Sequence, residues 1–107
     1  MFVAWVSLTA AIASEIVGTL SLKPAGHGSL PALALVILGY AASFILMLVA
    51  LKRMEVSMAY AIWSGVGTAV IALIGVAFLG ESASAVKMAS IALVIAGVVG
   101  LNLGGAH

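Results

Sequence analysis

Three carboxylates make up the acidic inventory of this chain, and their neighbourhoods divide them at once. Glu55 and Glu81 stand in the short polar stretches Lys52-Arg53-Met54-Glu55 and Gly80-Glu81-Ser82. Glu15 instead interrupts an otherwise apolar run from Phe2 to Leu22. If that run crosses hydrocarbon, an ionised carboxylate inside it is costly. Two responses are open to it. It can bind a proton, because desolvation penalises the charged form. Or it can face a wet cavity and hold a cation. A residue able to do both is the minimum apparatus of a proton-coupled cation exchanger. The plainer alternative is a protonated glutamate bonded to a neighbouring helix. No basic residue lies at the centre of any apolar run to neutralise Glu15. Lys23 is two helical turns away, near the interface, where its stem can snorkel.

On a helix, Leu8, Ala11, Ile12, Gly18, Thr19 and Leu22 share the face of Glu15. Ala11, Gly18 and Thr19 are small. Small residues let membrane helices approach closely; they also leave room beside a carboxylate for a bulky ligand. Spacing alone leaves both readings standing. Four of the seven aromatic residues are Tyr40, Phe44, Tyr60 and Trp63. Trp5, near the N-terminus, fits the interfacial belt that Trp and Tyr commonly form. Trp63 lies two turns into its run, deeper than a belt would place it. Tyr40 is near the middle of its run, where the hydroxyl needs a partner. Aromatic faces hold organic cations through their quadrupole. A carboxylate with such faces around it would suit a lipophilic cation.

The elements that must position these residues follow from composition. Of 107 residues, 65% are hydrophobic and 7% charged, and the mean hydropathy is +1.39. Soluble domains carry about a quarter charged residues. A chain of this length cannot hide so much apolar surface inside itself, so it is a membrane protein. A soluble enzyme, a disordered tail and a nucleic-acid partner are excluded; a net charge of +1 offers no footprint for nucleic acid. A membrane helix needs about 20 apolar residues. Four runs qualify, approximately 2–22, 30–51, 56–79 and 85–104, in one transmembrane domain covering 1–107. They are too long, and alternate too little, for barrel strands. The first is read as a span and not a cleaved leader, because residues 1–14 hold no Lys or Arg. Lys23-Pro24-Ala25-Gly26-His27-Gly28-Ser29 reads as a turn. Connections this short make neighbouring helices antiparallel.

The loop charges are balanced. Lys23 and Lys87 belong to one side, Lys52 and Arg53 to the other. The positive-inside rule then fixes no orientation, and insertion both ways round is the expectation. In the third run, Gly65, Val66 and Gly67 stand between Ser64 and Thr68. Such a stretch suits a hinge or simple tight packing. In the fourth, Ser90 and Gly97 share one face with other small residues, as a dimer contact would. Glu55 and Glu81 are expected to be solvated. His27 and His107 have no second ligand at metal spacing, so no metal site is expected. With no cysteine there is no disulfide framework. Phosphate-loop and nucleophile-elbow patterns are missing too, so no cofactor or covalent chemistry is expected.

Motifs in all four runs resemble those of the small multidrug resistance family, in its multidrug, quaternary-ammonium branch. They are Ser14-Glu15-Ile16-Val17-Gly18-Thr19 with Leu22-Lys23, Gly39-Tyr40-Ala41-Ala42-Ser43-Phe44, Ala59-Tyr60-Ala61-Ile62-Trp63-Ser64-Gly65-Val66-Gly67, and Ala96-Gly97-Val98 with Leu101-Asn102-Leu103. The resemblance implies an all-α fold of four transmembrane helices, paired as an antiparallel, dual-topology dimer in a bacterial cytoplasmic membrane. It implies that two Glu15 side chains line a shared chamber and bind protons, the coupling ion, or a lipophilic cation in competition. Tyr40, Tyr60 and Trp63 match the family's chamber aromatics and Ser43 a chamber hydroxyl. Phe44, Ala11, Gly18 and Thr19 join them as candidate lining. Gly65-Val66-Gly67 matches the kink of the third helix, and the fourth span, with Ser90 and Gly97, the dimerisation helix. The guanidinium-exporting branch typically has Trp where this chain has Gly18, which favours bulkier cations. Ile45 replaces a frequent Trp, Ser90 a frequent Gly, and the first loop lacks the usual Gly-Phe-Thr-Arg pattern. The alternatives are a guanidinium or polyamine exporter of the same fold, one half of a heterodimer, or a non-transporting assembly subunit.

Overall fold

The structure, a computed structural model, describes residues 2–103. His107 and residue 104, the expected end of the last span, lie outside them. Five helices follow in order: α1 Phe2–Leu20, α2 Leu22–Gly26, α3 Leu30–Ala50, α4 Val56–Phe78 and α5 Ala85–Leu103. No strand occurs among the described residues. Four of the segments, 2–26, 30–50, 56–78 and 85–103, are long and apolar enough to span a bilayer.

The first connection differs from the turn expected at 23–29. Helix resumes at Leu22 and carries Lys23, Pro24 and Ala25 to Gly26 before the chain turns. Pro24 explains both the resumption and the break before it. A proline ring clashes with the carbonyl four residues back and removes one helical hydrogen bond. That carbonyl belongs to Leu20, the last residue of α1. Pro24 itself sits in the first turn of α2, where a missing N–H costs nothing. Ser21 stays in right-handed helical backbone (φ −84°, ψ −10°), so the chain is jointed there without reversing. Serines start two other helices. Ser29 Oγ accepts from the Ala32 amide at 3.2 Å, and Ser84 Oγ from the Lys87 amide at 3.1 Å.

Glu81 is solvent-exposed, as expected, and also makes contacts. Its carboxylate lies against α4 where a Cβ on Gly75 would stand, and Oε1 is 3.5 Å from Lys87 Nζ. The short α4–α5 connection brings these groups together, so Glu81 is a loop fastener as well as a solvated acid.

α1 is the central element. It packs on α3 along its length and on α4, whereas α5 touches the rest mainly through α4. The buried cluster is Ala4, Leu8, Ile12, Ala50, Met54, Met58, Ala59 and Ile62. Five of these eight are Ala or Met: alanine lets backbones close in, and methionine fills what remains. α1 and α3 approach backbone to backbone. A Cβ on Gly39 would stand 2.8 Å from the Ser14 carbonyl oxygen and 3.0 Å from the Gly18 nitrogen. Both are backbone atoms and cannot turn aside. The assembly is a slab, 43 × 34 × 17 Å in its principal extents. Only 6% of the apolar window of α5 is buried.

Gly39→Ala is therefore expected to separate α1 from α3 and cost about 1–3 kcal/mol. Gly26→Ala, which meets nothing within 4 Å, should be near neutral. Thermal unfolding of both variants in detergent, followed by circular dichroism, checks the difference.

Candidate functional site

Glu15 is on the α1 face that meets α3 and α4. One turn later, Thr19 donates a hydrogen bond to Glu15 Oε1 at 2.9 Å. Thr19 Oγ1 is also 2.8 Å from the Tyr40 hydroxyl. A threonine hydroxyl has one proton to give. With that proton on an ionised Glu15, Tyr40 is the donor, and the order is Tyr40 to Thr19 to Glu15. This supplies the partner that a tyrosine at mid-span needs. Gly18 lets Tyr40 adopt the position: a Cβ there would lie 3.0 Å from the ring.

The other carboxylate oxygen is different. Glu15 Oε2 is buried and has no hydrogen-bond partner within the chain. A Cβ on Gly67 of α4 would come within 3.0 Å of it. Gly67 thus leaves clearance for Oε2. An unsatisfied buried carboxylate oxygen is unusual enough to require a ligand, a proton or a water as its explanation. Beside it lies a cavity of about 220 Å³ lined by Glu15, Tyr40, Phe44 and Trp63.

Trp63 is held by a second chain of hydrogen bonds. Its indole Nε1–H donates to Ser43 Oγ at 3.0 Å, and Ser43 donates to the Ala11 carbonyl at 2.7 Å. Ser43 and Ala11 are fully buried. One hydroxyl thereby ties α1, α3 and α4 together behind the cavity. Phe44 and Tyr60 flank Trp63, each with ring centroids 5.7 Å away and tilted at 53° and 44°.

The structure brings Glu15, Thr19, Tyr40, Phe44 and Trp63 together around one space. Ser43 and Ala11 stand behind its wall, supporting Trp63. Gly18 faces the Tyr40 ring, and Tyr60 is on the far side of Trp63, 60% exposed. Gly65, Val66 and Gly67 lie within an unbroken α4. A Cβ on Gly65 would come within 2.7 Å of the Val98 side chain of α5, and Val66 packs on the buried cluster. Ser90 and Gly97 are on the uncovered side of α5; Ser90 donates to the Val86 carbonyl at 2.7 Å, and Gly97 faces open space. Sequence reasoning did not find the Gly67–Glu15 approach. The flanking small residues read as a flexible stretch, and only a three-dimensional neighbour reveals the clearance. Among the described residues no group of acids and histidines could hold a metal ion.

The chain is thus a multi-pass helical membrane protein with one intramembrane carboxylate beside an aromatic-walled cavity. The chain belongs to the small multidrug resistance family: the family model for Small Multidrug Resistance protein matches residues 3–94. It is 48% identical over 102 residues to a multidrug resistance protein mmr of Mycolicibacterium paratuberculosis, covering 94% of this chain and 95% of that one. It is 42% identical over 106 residues to the protein of that name from Mycobacterium leprae, covering 97% and 99%. A guanidinium exporter of Yersinia pseudotuberculosis is 36% identical over 101 residues, covering 94% and 97%. The protein is accordingly a transporter of the bacterial inner membrane and not an enzyme.

Ser43→Ala would leave the Trp63 indole N–H and the Ala11 carbonyl without their shared partner. A loss of about 1–3 kcal/mol in stability is expected, with a change in the Trp63 fluorescence spectrum. Both are read from unfolding and emission of the Trp5→Phe background, in which Trp63 is the only tryptophan.

Proposed function

We propose that the protein is a proton-coupled antiporter that exports lipophilic and quaternary ammonium cations by exchange at Glu15. The observation that carries this reading is the unpartnered Oε2, buried at the edge of an aromatic-walled cavity. A proton satisfies that oxygen, and so does an organic cation seated against Tyr40, Phe44 and Trp63. Both cannot occupy it together. Protons arriving from outside displace the cation; deprotonation toward the cytoplasm readies the carboxylate for the next one.

The working unit is an antiparallel pair of copies. Three observations support pairing. Drug-sized sites run to about 300–1,000 Å³, and the cavity of one copy, about 220 Å³, falls short. Phe44, which lines it, and Tyr60, which packs on Trp63, are left largely exposed. Loop charges of two against two permit opposite insertion of the two copies. Two half-cavities facing one another reach the required volume and bring two carboxylates to one chamber. The small-residue face of α5 with Ser90 and Gly97 is the contact in this arrangement, and α4 bends at Gly65–Gly67 as access alternates.

The preference for bulky cations over guanidinium rests on Gly18. A large side chain there would displace the Tyr40 ring and fill the cavity. The multidrug resistance relatives support the same direction, while the guanidinium exporter relative makes small guanidinium ions the competitor to test.

Tetraphenylphosphonium binding to the purified protein, measured from pH 5 to 9, tests the exchange. Affinity is expected to rise with pH, approaching tenfold per unit where one proton is displaced per cation, and Glu15→Gln is expected to abolish binding. Binding that ignores pH, or survives Glu15→Gln in folded protein, contradicts competition at this residue.

A further inference from the structure

At the end of the slab opposite Pro24, the connection from α3 to α4 carries two cations on a fixed turn. Backbone bonds continue past the end of α3: Lys52 N–H donates to the Val49 carbonyl at 3.2 Å, Arg53 N–H to the Ala50 carbonyl at 3.1 Å, and Met54 N–H to the same carbonyl at 3.1 Å. Met54 is buried in the cluster formed by Ala4, Leu8, Ala50 and Met58. A side chain anchored in the core leaves the turn little freedom. Lys52 and Arg53 are consequently presented at a defined place and not on a loose loop.

That place adjoins a cavity of about 280 Å³ lined by Val3, Ala4, Val49, Lys52 and Arg53. Its walls are the first turn of α1 and the last turn of α3. Three of the lining residues are apolar, and the two polar ones are both cationic. The ion pair between Lys87 and Glu81 is the only one among the described residues, so neither Lys52 nor Arg53 has an acidic partner there. The site lies where two spans end, at the level of the lipid headgroups. None of its residues takes part in the cavity around Glu15.

We propose that this cavity is a binding site for the phosphate of an anionic glycerophospholipid. Lys52 and Arg53 hold the phosphate oxygens, and Val3, Ala4 and Val49 receive the start of an acyl chain. Arginine offers a planar fork to phosphate and lysine a mobile point charge. Basic pockets between transmembrane helices bind anionic headgroups by this combination of charge and depth. A soluble anion would use the charges but not the apolar walls, which is why the occupant is a lipid. Bound there, the lipid bridges the start of α1 and the end of α3, the two helices that carry Glu15, Thr19 and Tyr40.

Trp5 is one residue from Ala4 and serves as the reporter. The full chain with Trp63→Phe, leaving Trp5 as the only tryptophan, is reconstituted in phosphatidylcholine vesicles containing a fixed fraction of brominated lipid. Brominated phosphatidylglycerol is expected to quench Trp5 with an apparent affinity on the order of tenfold above brominated phosphatidylcholine. The preference should vanish in Lys52→Gln/Arg53→Gln and persist in Lys52→Arg/Arg53→Lys, which keeps both charges. Millimolar inorganic phosphate should leave it unchanged. Equal quenching by the two lipids overturns the proposal, as does a preference that survives removal of both charges. Abolition by inorganic phosphate overturns the lipid assignment and makes the cavity a site for the free ion.

Discussion

The structure depends on one unsatisfied oxygen. Glu15 Oε1 is bonded by Thr19, while Oε2 is buried without a partner. An ionised carboxylate within a membrane span is costly. Something must come to it, and what can come is set by the walls. Gly67 leaves room for the oxygen beside α4, while Tyr40, Phe44 and Trp63 line the cavity next to the carboxyl group. The site is thus made by clearance as much as by contact.

The rest of the fold holds that clearance. α1 lies at the centre, against α3 and α4, so the carboxylate meets residues from both. Gly39 and Gly18 bring α1 and α3 into backbone contact and set the height of Tyr40 beside Thr19. Ser43 then locks Trp63 through a hydrogen bond that ends on the Ala11 carbonyl, inside α1 itself. Two hydrogen-bond chains therefore converge on α1 one helical turn apart. One ends on the carboxylate, and the other holds Trp63 of its aromatic wall. α5 takes no part in either; its uncovered face is free for association, and Val98 meets α4 at Gly65.

Much of this was legible from residue type and depth. Four long apolar runs and a single carboxylate within them already define a spanning bundle with one polar centre. A tyrosine at mid-span demanded a partner, and Thr19, one turn beyond Glu15, is that partner. What the sequence concealed depends on which neighbour a small residue meets. Gly18, Gly65 and Gly67 look alike as letters. They face Tyr40, Val98 and Glu15 respectively. Ser43 read as a site hydroxyl, but it is fully buried and supports Trp63 from behind. The first connection read as a turn because its composition is turn-like, yet Pro24 breaks the helix a turn earlier and lets it resume. Glu81 is the solvated acid expected, but its contacts with the Gly75 notch and Lys87 were hidden because they adjoin it only after α4 ends.

The central claim is that proton and cation compete for one carboxylate oxygen. The most direct measurement is the proton released when tetraphenylphosphonium is added to protein in weakly buffered solution. At a pH where Glu15 holds its proton, the account predicts acidification in proportion to the cation bound, and none with Glu15→Gln. Saturable binding of the cation at that pH without proton release would contradict it.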